Sequence, residues 1–188
     1  MAAARINIFE NIPSLQFIAS NVVSVGGKHN ILQIHHVYIP GSLSFNNVIM
    51  GDRIAAGTIS YFISFGLYSL NGSTLSLANS AVNSITRSAV NQSLLTFATS
   101  ATQDITPGDW FFGIIRSFSA TNEGNIRFYE NSTIASMNAG AMGGPFMRGF
   151  LSVSTDALPA SIATSDMSKE GTGGAGGLHS YPYILISA

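Results

Sequence analysis

The chain has 188 residues, of which eight are Lys or Arg and nine are Asp or Glu, giving a formal charge of −1. Charged residues make up 9% of it, against roughly a quarter of an ordinary soluble domain, while Ser, Thr, Asn and Gly fill the spaces between apolar residues. Scattered single charges offer no basic cluster to follow a phosphate backbone, which argues against a nucleic-acid partner. No run reaches the roughly 18 uninterrupted apolar residues of a membrane span, the richest stretch, 61–70, being broken by Ser64, Gly66 and Ser69. Membrane insertion is therefore not expected. Cysteine is absent, so no disulfide staples the fold, and a chain of this length buries about 70% of its unfolded surface without one. Apolar residues without charges need a core, partner subunits, or both, to cover them.

Residues 1–29 differ from the rest. Asn7, Glu10 and Asn11 interrupt the apolar residues after Met1, so no secretion signal is expected. Ile6, Ile8, Phe9 and Ile12 form an apolar set that Pro13 ends, and residues 17–25 have the composition of a strand. Residues 1–16 suit an arm lying on a neighbouring molecule, with Ile6, Ile8, Phe9 and Ile12 as its docking residues. Residues 17–29 suit either a continuation of that arm or a first strand, and 30–188 form the main domain.

From residue 30 to 39 the text Asn-Ile-Leu-Gln-Ile-His-His-Val-Tyr-Ile is β-rich and stops at the turn signal Pro40-Gly41. Residues 42–50 follow as a second strand with Leu43, Phe45 and Val48 inward, ending at the polar Gly51-Asp52-Arg53; the two suit a hairpin. Residues 57–78 hold two β runs around Asn71-Gly72, a dipeptide suited to the two positive φ values of a type I′ turn, with Leu67 and Leu75 on the buried face. Further strands are expected at 94–98, 110–118, 126–130, 149–154 and 182–187. Between them, Pro107-Gly108 suits the centre of a type II turn and delivers Trp110, Phe111 and Phe112 into a core strand, while residues 171–177 form a Gly-rich loop. Eight or more strands at short spacing predict an all-β fold, an antiparallel two-sheet sandwich.

Little of the sequence carries chemistry. His35 and His36 are adjacent, so in a strand they point to opposite faces and cannot share a metal; one packed and one exposed histidine is the expectation. His29 and His179 lie far away in sequence. Asp104 and Asp109 flank one turn and either converge on a cation such as calcium or cap loop amides. No Gly-x-Ser-x-Gly elbow activates a serine, and the Gly-rich loop lacks the Lys-Ser/Thr of a phosphate-binding loop. Asn-x-Ser/Thr triplets occur at Asn71, Asn91 and Asn131, and chance accounts for them in so Asn- and Ser-rich a chain. Neither enzymatic activity nor a cofactor is expected.

Four phrases carry a resemblance: Gly66-Leu-Tyr-Ser-Leu-Asn-Gly-Ser-Thr-Leu-Ser-Leu-Ala-Asn-Ser80, Ala101-Thr-Gln-Asp-Ile-Thr-Pro-Gly108, Leu158-Pro-Ala-Ser-Ile-Ala-Thr-Ser-Asp166 and Tyr181-Pro-Tyr-Ile-Leu-Ile-Ser187. Over about residues 31–188 the chain resembles small β-rich virion proteins of tailed bacteriophages. The resemblance implies a jelly-roll-like sandwich that forms a homotrimer on the virion exterior. It implies a capsid decoration (cement) protein bound to the major capsid protein or another virion protein. The alternative is a short tail fibre or receptor-binding tip that meets a host surface glycan or protein.

Overall fold

A computed structural model describes residues 5–7, 12–13, 22–26, 30–39, 41–118, 126–131, 148–155, 157–170, 181–182 and 184–187. They form thirteen strands: β1 (Arg5–Asn7), β2 (Ile12–Pro13), β3 (Val22–Gly26), β4 (Ile31–Ile39), β5 (Leu43–Asn71), β6 (Thr74–Ile105), β7 (Gly108–Ser117), β8 (Ile126–Asn131), β9 (Arg148–Ser152), β10 (Ser161–Ala163), β11 (Ser168–Glu170), β12 (Tyr181–Pro182) and β13 (Ile184–Ser187). A single 3-10 turn, Thr164–Asp166, separates β10 from β11. All the strand pairs are antiparallel.

The organising element is one long hairpin. Its register runs from Ile31 opposite Arg116 to Ile39 opposite Gly108, resumes at Leu43 opposite Ile105, passes Arg53 opposite Gln92, and closes at Asn71 opposite Thr74. This ribbon is folded twice. The first fold lies between Ile39 and Leu43 on one side of the ribbon and between Ile105 and Gly108 on the other. The second lies at the irregular pairing around Arg53, Ile54 and Thr58, where Gly57 takes a φ of +71°, a conformation that costs a residue with a Cβ. The far half of β5 thereby returns beside β7, with Phe62 opposite Ser117 and Tyr68 opposite Phe111. A long antiparallel hairpin rolled onto itself in this way is an antiparallel two-sheet, jelly-roll-like sandwich.

One layer has the order β11, β9, β4, β7, far β5, first half of β6, β10; the other joins the second half of β6 to near β5, then β13, β1 and β2, with β8 beside β5 at Asp52–Ile54 and bearing β3 and β12. Between the layers lies the main core. It is built from Val37, Ile39, Phe45, Val48, Ile59, Tyr61, Ile63, Phe65, Leu67, Phe97, Phe112 and Ile114, with Leu43 and Trp110 packed against it. Phe65 joins the layers, its ring centroid 5.1 Å from Phe97 across the sandwich and 5.8 Å from Phe112 on the neighbouring strand.

A second core covers the outer face of the first layer. Leu32, Ile34, Tyr68, Leu75, Phe111, Ile115, Ile162 and Met167 are buried there, with Leu151, Val153 and Leu158 packed against them. The covering segment is tied down by Tyr68 Oη donating to the Pro159 carbonyl (3.0 Å), the Leu77 amide to Ala160 (2.9 Å), and the Thr164 amide to Ser73 (2.8 Å). Strands β4 and β7 are thus covered on both faces, which is why their sequences are nearly continuous apolar runs without alternation.

Several expectations need correction. Residues 30–39 and 42–50 do not pair with each other; they are consecutive lengths of one side of the ribbon, paired with β7 and β6. Gly51-Asp52-Arg53 does not end a strand, and residues 78–93 are strand throughout, because bulges bend the ribbon without breaking its ladder. The hairpin loop is Gly72-Ser73, with only Gly72 at positive φ (+61°), so Gly occupies the first central position, as in a type II′ turn, and the Asn71-Gly72 type I′ turn is not formed. Leu67 and Leu75 are both buried, but in different cores.

Candidate functional site

Three of the polar side chains that the sequence singles out, His36, Asp104 and Asp109, lie beside the first fold of the ribbon. There β4 ends at Ile39 and β5 begins at Leu43, while β6 runs into β7 through Thr106 and Pro107. The neighbouring crossings bring His36, Ser44, Asp104 and Asp109 to the same end of the sandwich. Asp104, near the end of β6, accepts a hydrogen bond from the Ser44 hydroxyl across the ladder. Asp109 Oδ1 lies 2.8 Å from His36 Nε2.

The two carboxylates therefore serve separate partners, one in each layer. The alternative in which they share a cation gains nothing from this geometry, and no group of three or more His, Asp or Glu side chains is gathered among the described residues. The Trp110 indole N–H closes the turn by donating to the Thr106 carbonyl at 2.9 Å. This holds Trp110 half-buried against the main core. Gly108 opens β7 with a φ of +138°.

His36 departs from expectation. Both adjacent histidines are buried, His35 wholly and His36 to 4%, because the covering segment turns the outer face of the layer into a second interior. Neither is the exposed member of the pair. The His36 ring packs on Phe111 with centroids 5.1 Å apart, and its side chain is 1% exposed while that of Asp109 is 43% exposed. With the ring proton on Nε2 the imidazole donates to the carboxylate, and Asp109 passes the pair on to solvent. Nδ1 has no hydrogen-bond partner among the described residues.

Sequence reasoning missed Arg116. It is 3% exposed, lies on the face of β7 that looks between the layers, and donates from Nη1 to Gln33 Oε1 at 3.3 Å. A basic residue inside the run Phe-Phe-Gly-Ile-Ile-Arg was the available signal, since an arginine in a strand covered on both faces must be paired within the protein.

The flank beside β6 carries a small cleft. It is lined by Phe45, Phe65 and Phe112 together with Asn79, Thr99 and Gln103. At about 20 Å³ it has room for roughly one water molecule, not for an organic ligand.

Of the expected docking residues, Ile6 lies in β1 opposite Ile186 of β13 and Pro13 of β2, and Ile12 lies in β2 opposite Asn7. Ile8 and Phe9 lie outside the described residues, as do His29, His179 and the Gly-rich loop. Asn71 is exposed at the hairpin tip, whereas Asn91 and Asn131 sit within β6 and β8.

No protein-family model matches the chain, and no curated protein matches it. Among solved structures it is similar to a family 11 carbohydrate-binding module from Clostridium thermocellum, solved in complex with a β-1,3-1,4-mixed-linked tetrasaccharide. The identity is 11%, with 67% of this chain and 94% of the module covered, and the TM-score is 0.27. A likeness of that size carries no statement about ligands.

Proposed function

We propose that the chain is a non-enzymatic structural protein of a tailed-phage virion, a trimeric capsid decoration protein that stabilises the shell from outside. The observation that carries this reading is the chemistry of the rolled hairpin. Between Arg53 and Asp104, Arg87 is the only charged side chain, although this stretch contains most of the two longest strands. Neutral strands rich in Ser, Thr and Asn suit burial against other subunits, since the cores of interfaces are depleted of charge. The phage-like phrases at 66–80, 101–108, 158–166 and 181–187 support the same reading. The chemistry at the first fold agrees with it, since Asp104 and Asp109 are each bonded within the chain.

In this reading the protein is made in the host cytoplasm and ends on the virion exterior. Its partners are other copies of itself and the major capsid protein or another virion protein. The segment with Ile6, Ile8, Phe9 and Ile12 makes the virion contact. Particles that lack the protein should lose resistance to heat and to low salt, and cryo-electron microscopy should place it over the capsid lattice. Unchanged particle stability would remove the cement role.

The second reading, a short tail fibre or receptor-binding tip, draws on the exposure of Asn71, Gly72 and Ser73 at the end of the hairpin. It requires purified protein to block adsorption of phage to host cells. Undiminished adsorption at saturating protein would exclude it.

A further inference from the structure

Strand β6 changes layers midway, so both of its halves lie along the same flank of the sandwich. Its first residues, Thr74–Ser76, pair with β10, and the Leu77 amide donates to Ala160. From Ala78 to Ile105 it has β5 on one side and, among the described residues, no strand on the other. The cleft opens on this flank, with Asn79 and Ser80 from the first half of β6 facing Thr99 and Gln103 from the second.

A strand edge presents alternate N–H and C=O groups outward, a template for pairing with another chain. Proteins that remain alone defend such edges by keeping them short, by placing Lys or Pro on them, or by bulging them. The register of β6 with β5 does shift at bulges, but β6 is 32 residues long, contains no Lys or Pro, and carries only Arg87 and Asp104 as charges. Asp104 is already bonded to Ser44.

We infer that this flank is the surface by which one copy of the chain is covered by another copy. The charge pattern selects the occupant. A partner rich in acidic or basic side chains would bury them against a strand whose sequence holds few charges to pair with them, at a desolvation cost that little repays. The chain itself, 9% charged, brings neutral hydrogen-bonding groups that match. The inference rests on the self-association in the proposed function, not on where in the virion the protein sits.

The test combines oligomeric mass with amide exchange. Ser80 and Ala98 are exposed on β6, so Ser80→Lys and Ala98→Lys place like charges into the contact. Sedimentation velocity should show an oligomer for the unaltered protein and at least about tenfold weaker association for each variant, with unchanged far-UV circular dichroism. Ser154→Lys, at an exposed position of the covering segment, should leave the mass as it was. In the oligomer, hydrogen exchange should be slow at successive amides from 78 to 105, not only at the alternate ones bonded to β5; this reading holds even where a lysine variant fails to fold.

An unaltered protein that is monomeric at all concentrations overturns the inference, whatever happens to virion stability. So does an oligomer indifferent to both lysines, which would place self-association on another surface. Continuous protection of β6 in a monomer would mean that the chain covers its own flank, and that too overturns it. Loss of particle heat resistance alongside a monomeric protein would spare the cement reading while ending this one.

Discussion

Gly66 of β5 and Gly113 of β7 stand directly opposite one another, and the Tyr68 ring lies across the hollow they leave. A Cβ on Gly113 would meet Tyr68 Cε2 at 2.7 Å and Ile34 Cδ1 at 3.0 Å; one on Gly66 would meet Leu77 Cδ1 at 2.7 Å, Leu158 Cδ1 at 2.8 Å and Tyr68 Cε2 at 3.1 Å. The difference lies in what has to yield. Leucine ends can turn aside, whereas the Tyr68 ring is wholly buried and tethered through its hydroxyl. Gly113→Ala should cost about 1–3 kcal/mol, the usual range for overpacking, and Gly66→Ala less. Urea unfolding of the two variants measures the difference; equal costs would mean that the ring is not the rigid element.

Tyr68 also gives the fold a pH limit. Burial pushes its hydroxyl well above the ordinary tyrosine range. A raised pKa in the folded state means that stability is fully present below the unfolded tyrosine value of about 10 and declines as pH rises past it. The unfolded chain then loses a proton that the folded chain keeps. The slope from this residue is at most about 1.4 kcal/mol per pH unit. Tyr68→Phe should flatten the decline between pH 9 and 11, at a cost of about 1 kcal/mol at neutral pH for the lost bond to Pro159. Parallel alkaline slopes in the two proteins would assign the decline to other groups.

The two phenylalanines at 62 and 65 lie on opposite faces of one strand and should respond in opposite ways. Phe65 is 2% exposed and links both layers, so Phe65→Ala should cost about 3–5 kcal/mol. Phe62 is 42% exposed. Phe62→Ser should change the midpoint of thermal unfolding little. Comparable losses from both would require the outer face at Phe62 to be covered.

Local patterning made the fold class and many of the strands legible, because β-branched and aromatic runs and the glycine of the Gly72-Ser73 loop are local signals. The roll was not legible. Whether 30–39 pairs with 42–50 or continues into it depends on where β7 and β6 return, far later in the chain, as in Ile31 opposite Arg116 and Met50 opposite Leu95. The same non-locality hid the second core. Leu158, Ile162 and Met167 look like loop residues until the outer face of β4 and β7 is seen to need them. At the first fold, Asp104 and Asp109 were visible as a pair flanking a turn. Their partners Ser44 and His36 come from the other side of the ribbon and had no sequence signal linking them.

The His36 and Asp109 contact offers a separation of charge from shape. His36 Nε2 is buried, and the carboxylate is its hydrogen-bond partner at 2.8 Å. Asp109→Leu leaves an N–H facing the apolar contact with Phe111, and a buried donor without a partner costs about 1–3 kcal/mol. Asp109→Asn keeps an acceptor at the same distance and should cost less than half as much. Because Asp109 itself is 43% exposed, water can approach from its side, which favours the lower end of the range for the leucine variant. If the histidine proton is what matters, His36→Phe combined with Asp109→Leu should recover much of the loss, since the donor and acceptor leave together. A double variant no better than Asp109→Leu alone would mean that the corner depends on the shape of the imidazole, and that the carboxylate serves the Thr106–Trp110 turn and not the ring.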